Sequence, residues 1–173
     1  MVYNDYHKLA LNTKSANSKY LIDKHLLEGD FMIKMYFHAK TTAVTKAMKW
    51  LANHDAIFTA RDIKKQPLTR DEILYMLSLT EDGTDDLIST RSKAYKALPA
   101  SVQDMGMNEL VELLQNNPGI LKNPIVVDRN KLATGFDLET IREFVPASYR
   151  KKELAGFFKI LNGTKNALGV TPA

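Results

Sequence analysis

The spacing of apolar and polar positions changes several times along the chain, and each change marks a predicted element. Phe31 to Phe37 (FMIKMYF) is short and rich in aromatic and apolar side chains, which predicts a first strand. A polar and small stretch, His38 to Thr42, follows it. Apolar residues then recur at helical spacing as Val44, Ala47, Met48 and Leu51, with Trp50 beside them, and His54-Asp55 closes this helix. Residues 56–62 alternate apolar and polar side chains, which predicts a second strand. A strand–helix–strand run of about 30 residues is a βαβ unit, whose two strands lie parallel.

Thr69-Arg-Asp-Glu72 has the spacing of a capping box, in which the Thr and Glu side chains each satisfy a backbone N–H at the helix start. It opens a helix carrying Ile73, Leu74 and Leu77. Beyond Gly83 the pattern predicts a helix from Asp85 to Leu98, ended by Pro99. Another runs from Met107 to Gln115 and is stopped by Asn117-Pro118-Gly119. Pro124 to Asp128 reads as a third strand and Leu132 to Thr134 as a fourth, joined as a hairpin through Arg129-Asn130. Asp137 caps a last core helix with Leu138, Ile141, Phe144 and Val145, which Pro146 terminates. Arg150 to Leu161 predicts one further helix, and residues 162–173 a flexible tail. Ahead of the first strand, residues 1–30 are polar at first and then carry Tyr20, Leu21, Ile22, Leu26 and Leu27 before Gly29-Asp30. They read as an extension, docked through its apolar side chains.

Composition narrows the chemistry. A hydrophobic fraction of 45% and a charged fraction of 25% over 173 residues suit one globular domain with terminal extensions. The chain has no cysteine, which excludes disulfides, zinc–thiolate sites, iron–sulfur clusters and a thiolate nucleophile, and favours an intracellular setting. The first ten residues lack the apolar core of a signal peptide, and no apolar run reaches the roughly 18 residues of a membrane span, so a cytoplasmic location is expected. The net charge of +4 resembles a nucleic-acid signal until it is mapped. Residues 1–30 hold four Lys and four acids, and residues 31–146 hold fifteen charges of each sign. The excess lies in residues 147–173, where Arg150, Lys151, Lys152, Lys159 and Lys165 face Glu153 alone, so any phosphate footprint is local. His7, His25, His38 and His54 show no ligand spacing, and the methionines read as core filler. No metal and no cofactor are expected.

Two stretches carry a resemblance. Thr80 to Lys93 (TEDGTDDLISTRSK) and Asn117 to Asp128 (NPGILKNPIVVD) are similar to signature stretches of Spx-type transcriptional regulators in the arsenate-reductase-like (ArsC) family. The likeness covers residues 32–155, including Lys46 and Trp50 and the Phe144–Pro146 end. It implies an α/β fold: a thioredoxin-like four-stranded mixed sheet with a helical insertion between strands 2 and 3. The implied layout is an N-terminal extension (1–30), an ArsC/Spx-like domain (31–149, with core 31–64 and 122–149 and insertion 65–121) and a basic C-terminal helix and tail (150–173). The resemblance also implies a monomeric, non-enzymatic stress-response regulator that binds the C-terminal domain of the RNA polymerase α subunit and reaches promoter DNA through that complex. The glycine of the Glu81-Asp82-Gly83 stretch is central to that contact in the family. Gly83 suits it, because a residue without a side chain permits positive φ or close backbone approach. Read alone, Gly83 is an ordinary loop glycine; the surrounding match favours the contact. Arg91, with Lys93 two residues on, matches an arginine that helps bind the oxyanion in arsenate reductases and is linked to polymerase or promoter DNA in Spx-type proteins. A planar guanidinium meets carboxylate or phosphate in two bonds. Read alone, Arg91 is equally a surface residue stabilising its own helix.

Two departures from the family pattern stand out. A Cys-x-x-Cys pair begins the first helix in the family, where the helix N-terminus lowers the thiol pKa. Matching strand 1 and the Lys46/Trp50 helix puts Thr41 and Val44 at those positions. The residue before the third-strand proline is commonly arginine in the family and is Asn123 here, while Pro124 keeps the position of a cis-proline. The leading expectation is therefore a redox-insensitive regulator. One alternative is an inactive relative of arsenate- or glutaredoxin-type thiol reductases, a chemistry that requires a thiolate. Another is a decoy that occupies polymerase without activating transcription.

Overall fold

The computed structural model describes residues 32–99, 101–145 and 147–167, with side chains described except at 147–148 and 161–167. Four strands, β1 (Ile33–Phe37), β2 (Phe58–Asp62), β3 (Ile125–Val127) and β4 (Leu132–Thr134), form one sheet of order β2-β1-β3-β4. β1 is parallel to β2 and antiparallel to β3, and β3 and β4 form the antiparallel hairpin. Helix α1 (Thr42–Asn53) joins the parallel pair. Between β2 and β3 lie α2 (Arg70–Ser78), α3 (Thr84–Leu87), α4 (Lys93–Lys96) and α5 (Met107–Asn116). After β4 come α6 (Leu138–Arg142) and α7 (Ala147–Ala167). This is the expected α/β architecture, a thioredoxin-like four-stranded mixed sheet with a helical insertion.

Strand geometry divides the core in two. Successive side chains of a strand point to opposite faces. Ile33 and Met35 of β1 and Val126 of β3 therefore pack with Ala47 and Leu51 of α1 and with Ile141 and Phe144. Tyr36, Ile125 and Val127 face the other way, onto Ile73 and Met76 of α2, Leu110, Val111 and Leu114 of α5, and Ile120 and Leu121. Each such buried aliphatic side chain contributes about 1.5–3 kcal/mol. The insertion thus shares its core with the sheet.

Several elements differ from the sequence expectation. The helix predicted over 85–98 is broken into α3 and α4, with Ile88 extended between them (φ −94°, ψ 135°) and bridged to Leu121. The Ser89 N–H donates to the Ile120 carbonyl and the Lys122 N–H to the Leu87 carbonyl, both at 2.8 Å. These long-range bonds, with Ile88 buried, outweigh the local helical preference. The predicted C-terminal helix runs longer, Ala147–Ala167, so the first part of the expected tail is helical. Met35 and Met76 are core residues, but Met32 and Met107 are about half exposed, at 48% and 52%, and do not fill the core. The expected extension, 1–30, and the end of the tail lie outside the described residues.

Candidate functional site

The corner that the sequence expectation gives as a degenerate redox site lies between the end of β1 and the start of α1. Thr41 is the N-cap of α1, in extended conformation (φ −88°, ψ 169°), and its hydroxyl oxygen accepts the Val44 N–H at 3.4 Å. Capping of this kind satisfies a backbone donor that the first helical turn cannot. Val44 is buried at 1% exposure and offers only packing. Across from them, Asn123 precedes a cis peptide bond to Pro124. The Asn123 Oδ1 accepts the His38 backbone N–H (3.0 Å), and its Nδ2 donates to the Ala39 carbonyl (2.9 Å) and to Thr41 Oγ1 (3.2 Å). The three bonds staple the β1–α1 loop from the far side of the sequence.

His38 completes this corner. Its Nε2 lies 3.2 Å from the Leu121 carbonyl, an acceptor, so the proton sits on Nε2. Burial is the largest influence on the ring and lowers its pKa below 6.5, aided by the charge of Lys64; the Leu121 bond and Asp62 work the other way. A neutral imidazole committed to a backbone carbonyl is a structural group here. No cluster of three or more metal-ligating side chains exists among the described residues.

The second candidate surface is the loop ahead of α3. Gly83 is exposed at φ 62°, ψ −122°, a region sterically closed to other residues, and no atom lies within 4 Å of where a Cβ would stand. The Asp86 carboxylate accepts the backbone N–H groups of Glu81 (2.9 Å) and Asp82 (3.0 Å), which fixes the loop's shape. Arg91 is exposed in the turn after the Ile88 bridge, and Lys93 is exposed at the start of α4, which Ser92 caps through the Tyr95 N–H (3.0 Å). Among the described residues, no hydrogen bond or ion pair joins Glu81, Asp82 or Gly83 to Arg91 or Lys93. They stand at the two ends of one short segment.

What connects the two regions is the stretch 120–123, whose linking role was not legible in the sequence. One edge pairs with residues 87–89 through the Leu121–Ile88 bridge and its flanking hydrogen bonds. The other edge holds His38, Ala39 and Thr41 through the Leu121 carbonyl and the Asn123 side chain. Ile120 and Leu121 are buried at 0% and 2%, so the strut is packed as well as bonded. Asp86, which shapes the Gly83 loop, was also missed. Its only sequence signal is a carboxylate a few residues after two exposed amides.

Comparison with known proteins identifies the chain's relatives. Residues 36–144 match the ArsC family. The chain is 42% identical over 123 residues to a protein described as global transcriptional regulator Spx from Streptococcus mutans, covering 71% of this chain and 90% of that one. A Streptococcus pneumoniae protein of the same description is also 42% identical, covering 71% and 92%. Among solved structures, a Staphylococcus aureus protein superposes with a TM-score of 0.56 at 27% identity, over 65% of this chain and 97% of that one. Arsenate reductase from Vibrio cholerae gives 0.56 at 17% identity, over 66% and 98%, a likeness of fold alone. The chain belongs to the ArsC family and, within it, to the Spx-type transcriptional regulators, and it contains no cysteine.

Proposed function

We propose that the protein regulates transcription by binding the C-terminal domain of the RNA polymerase α subunit through Glu81, Asp82 and Gly83, with Arg91 and Lys93 adding positive charge beside promoter DNA. The observation that carries this reading is Gly83: an exposed residue at positive φ, on a loop pinned by Asp86, with open space around it. A preformed, side-chain-free patch lets a partner backbone approach closely and costs little ordering on binding. The protein acts as a cytoplasmic monomer and not as an enzyme. Its contact is indifferent to redox conditions, because Thr41, Val44 and Asn123 form a hydrogen-bonded corner with no thiol to oxidise.

Titration of purified α C-terminal domain tests the reading. Gly83→Arg is expected to weaken binding by about 30-fold or more, the ~2 kcal/mol scale of an interface hot spot. Unaltered affinity removes the assignment. Peroxide and dithiothreitol leave the wild-type affinity unchanged, and a redox-dependent affinity would overturn the second half of the proposal. The missing thiols also favour a second reading, a decoy that binds polymerase without activating promoters that need a redox-active relative. In-vitro transcription from such promoters separates the two. An arsenate-reduction assay with glutathione and glutaredoxin is expected to show no turnover, since no thiolate is present to attack.

A further inference from the structure

Helix α7 presents an apolar face close to the point where the chain enters the sheet. Leu154, Phe157 and Phe158 are 56%, 58% and 53% exposed. Spaced i, i+3 and i+4, they share one side of the helix. Three large apolar side chains grouped on one helix face mark an interaction surface more often than a solvated one. The first turns of α7 are anchored at one corner of the domain. The Tyr149 ring centre lies 5.0 Å from that of His54, and Lys152 Nζ lies 3.6 Å from Asp55 Oδ2. The N-terminal end of β1 is at the same corner, where the Ile33 N–H donates to the Ile57 carbonyl at 3.0 Å. Met32, next to it, is 48% exposed.

Met32 therefore lies beside the base of α7, and 31 residues precede it in the sequence. They carry five apolar residues in eight positions, Tyr20, Leu21, Ile22, Leu26 and Leu27. Leu27 is six residues from Ile33, a reach of at most about 20 Å. Phe158 is six helical residues beyond Lys152, about 9 Å along the axis. Charge agrees with length. Residues 20–30 hold Asp23, Glu28 and Asp30 against Lys24, whereas α7 holds Arg150, Lys151, Lys152, Lys159 and Lys165 against Glu153.

We propose that residues Tyr20–Leu27 of the same chain pack on the α7 face formed by Leu154, Phe157 and Phe158. The N-terminal segment is then an intramolecular cover for the basic C-terminal helix, and its acids lie along that helix's lysines. The inference stands independently of the polymerase contact.

A chain without cysteine makes the test direct. The full-length double variant Leu26→Cys/Phe157→Cys is treated with a short bis-maleimide, beside Ser15→Cys/Phe157→Cys, which places the first thiol in the polar stretch. The docked pair is expected to yield about tenfold more internally linked monomer than the control, because docking raises the effective concentration of one thiol at the other. The yield stays constant on dilution. Equal yields from the two pairs overturn the proposal, as do linked dimers that dominate and grow with concentration, which would assign the face to a second copy. If Phe157→Cys alters the circular dichroism spectrum, Leu154→Cys replaces it. As an independent readout, Leu26→Asp in the full chain is expected to speed hydrogen exchange in residues 154–160 about tenfold; an unchanged rate overturns the docking.

Discussion

Asn123 uses both ends of its carboxamide, accepting from His38 and donating to Ala39 and Thr41. An arginine at this position would offer donors only and would leave the His38 N–H without its acceptor. Asn123→Ala removes three hydrogen bonds at a part-buried site. At about 0.5–1.5 kcal/mol each, with water replacing some, a net loss of about 1–3 kcal/mol is expected. Urea unfolding checks it: the midpoint falls while the slope stays the same. A midpoint equal to wild type would mean that the corner is held by other groups. Position 123 was singled out in the sequence. Its bonding was not, because its partners lie 82 to 85 residues away. Thr41, expected at a degenerate redox position, is the N-cap of α1. Gly83 was legible as a residue that permits positive φ, which it adopts, whereas the Asp86 carboxylate that shapes its loop was not.

At the scale of elements, locality decides what the sequence discloses. The start of α2 is written in four consecutive residues, and the capping box forms: the Glu72 N–H donates to Thr69 Oγ1 (3.2 Å) and the Thr69 N–H to Glu72 Oε2 (2.9 Å). Thr69→Ala is expected to cost about 1 kcal/mol, read as a lowered thermal midpoint; Thr69→Ser should restore most of it. The segment 85–98 shows the opposite case. Its local pattern is helical, yet Ile88 is drawn into a bridge with Leu121, 33 residues away. No local periodicity encodes that pairing. The βαβ unit and the β3–β4 hairpin were legible because their hydrophobic periods are strong and their connections short. α7 outran its predicted end because Asn162 and Gly163 weaken a helix without stopping it.

At the scale of the molecule, sheet and insertion are joined by a polar link as well as by the core. Tyr36 on β1 donates to Glu72 Oε1 (3.1 Å), and Arg61 on β2 forms an ion pair with Glu72 Oε2 while lying 4.8 Å above the Tyr36 ring. Burial, the strongest influence on Glu72, opposes its ionisation. The hydrogen bond from Arg61, the Thr69 N–H, the Arg61 charge and the Tyr36 hydroxyl together outweigh it and hold the carboxyl below its usual 4.5. Burial, followed by the Glu72 charge, pushes the Tyr36 phenol well above its usual range. Two pH windows follow. His38 resists protonation in the folded chain, so as pH falls below 6.5 the unfolded chain takes up its proton first and stability declines. Glu72 contributes above pH 4.5, and its contribution is lost as pH falls through its depressed folded value. Urea unfolding from about pH 7.5 to about pH 4 should show both declines. His38→Gln flattens the upper one and Glu72→Gln the lower; a His38→Gln profile identical to wild type would refute the first assignment.

The clamped strut at 120–123 bears on timing. A thiol pair gives a regulator the speed of an oxidation and the reversibility of a reduction. Here both edges of the strut are tied by hydrogen bonds that no oxidant touches. In the regulator proposed above, the signal therefore has the lifetime of the polypeptide. It rises with synthesis, persists after the stress that called for it has passed, and ends when the chain is degraded.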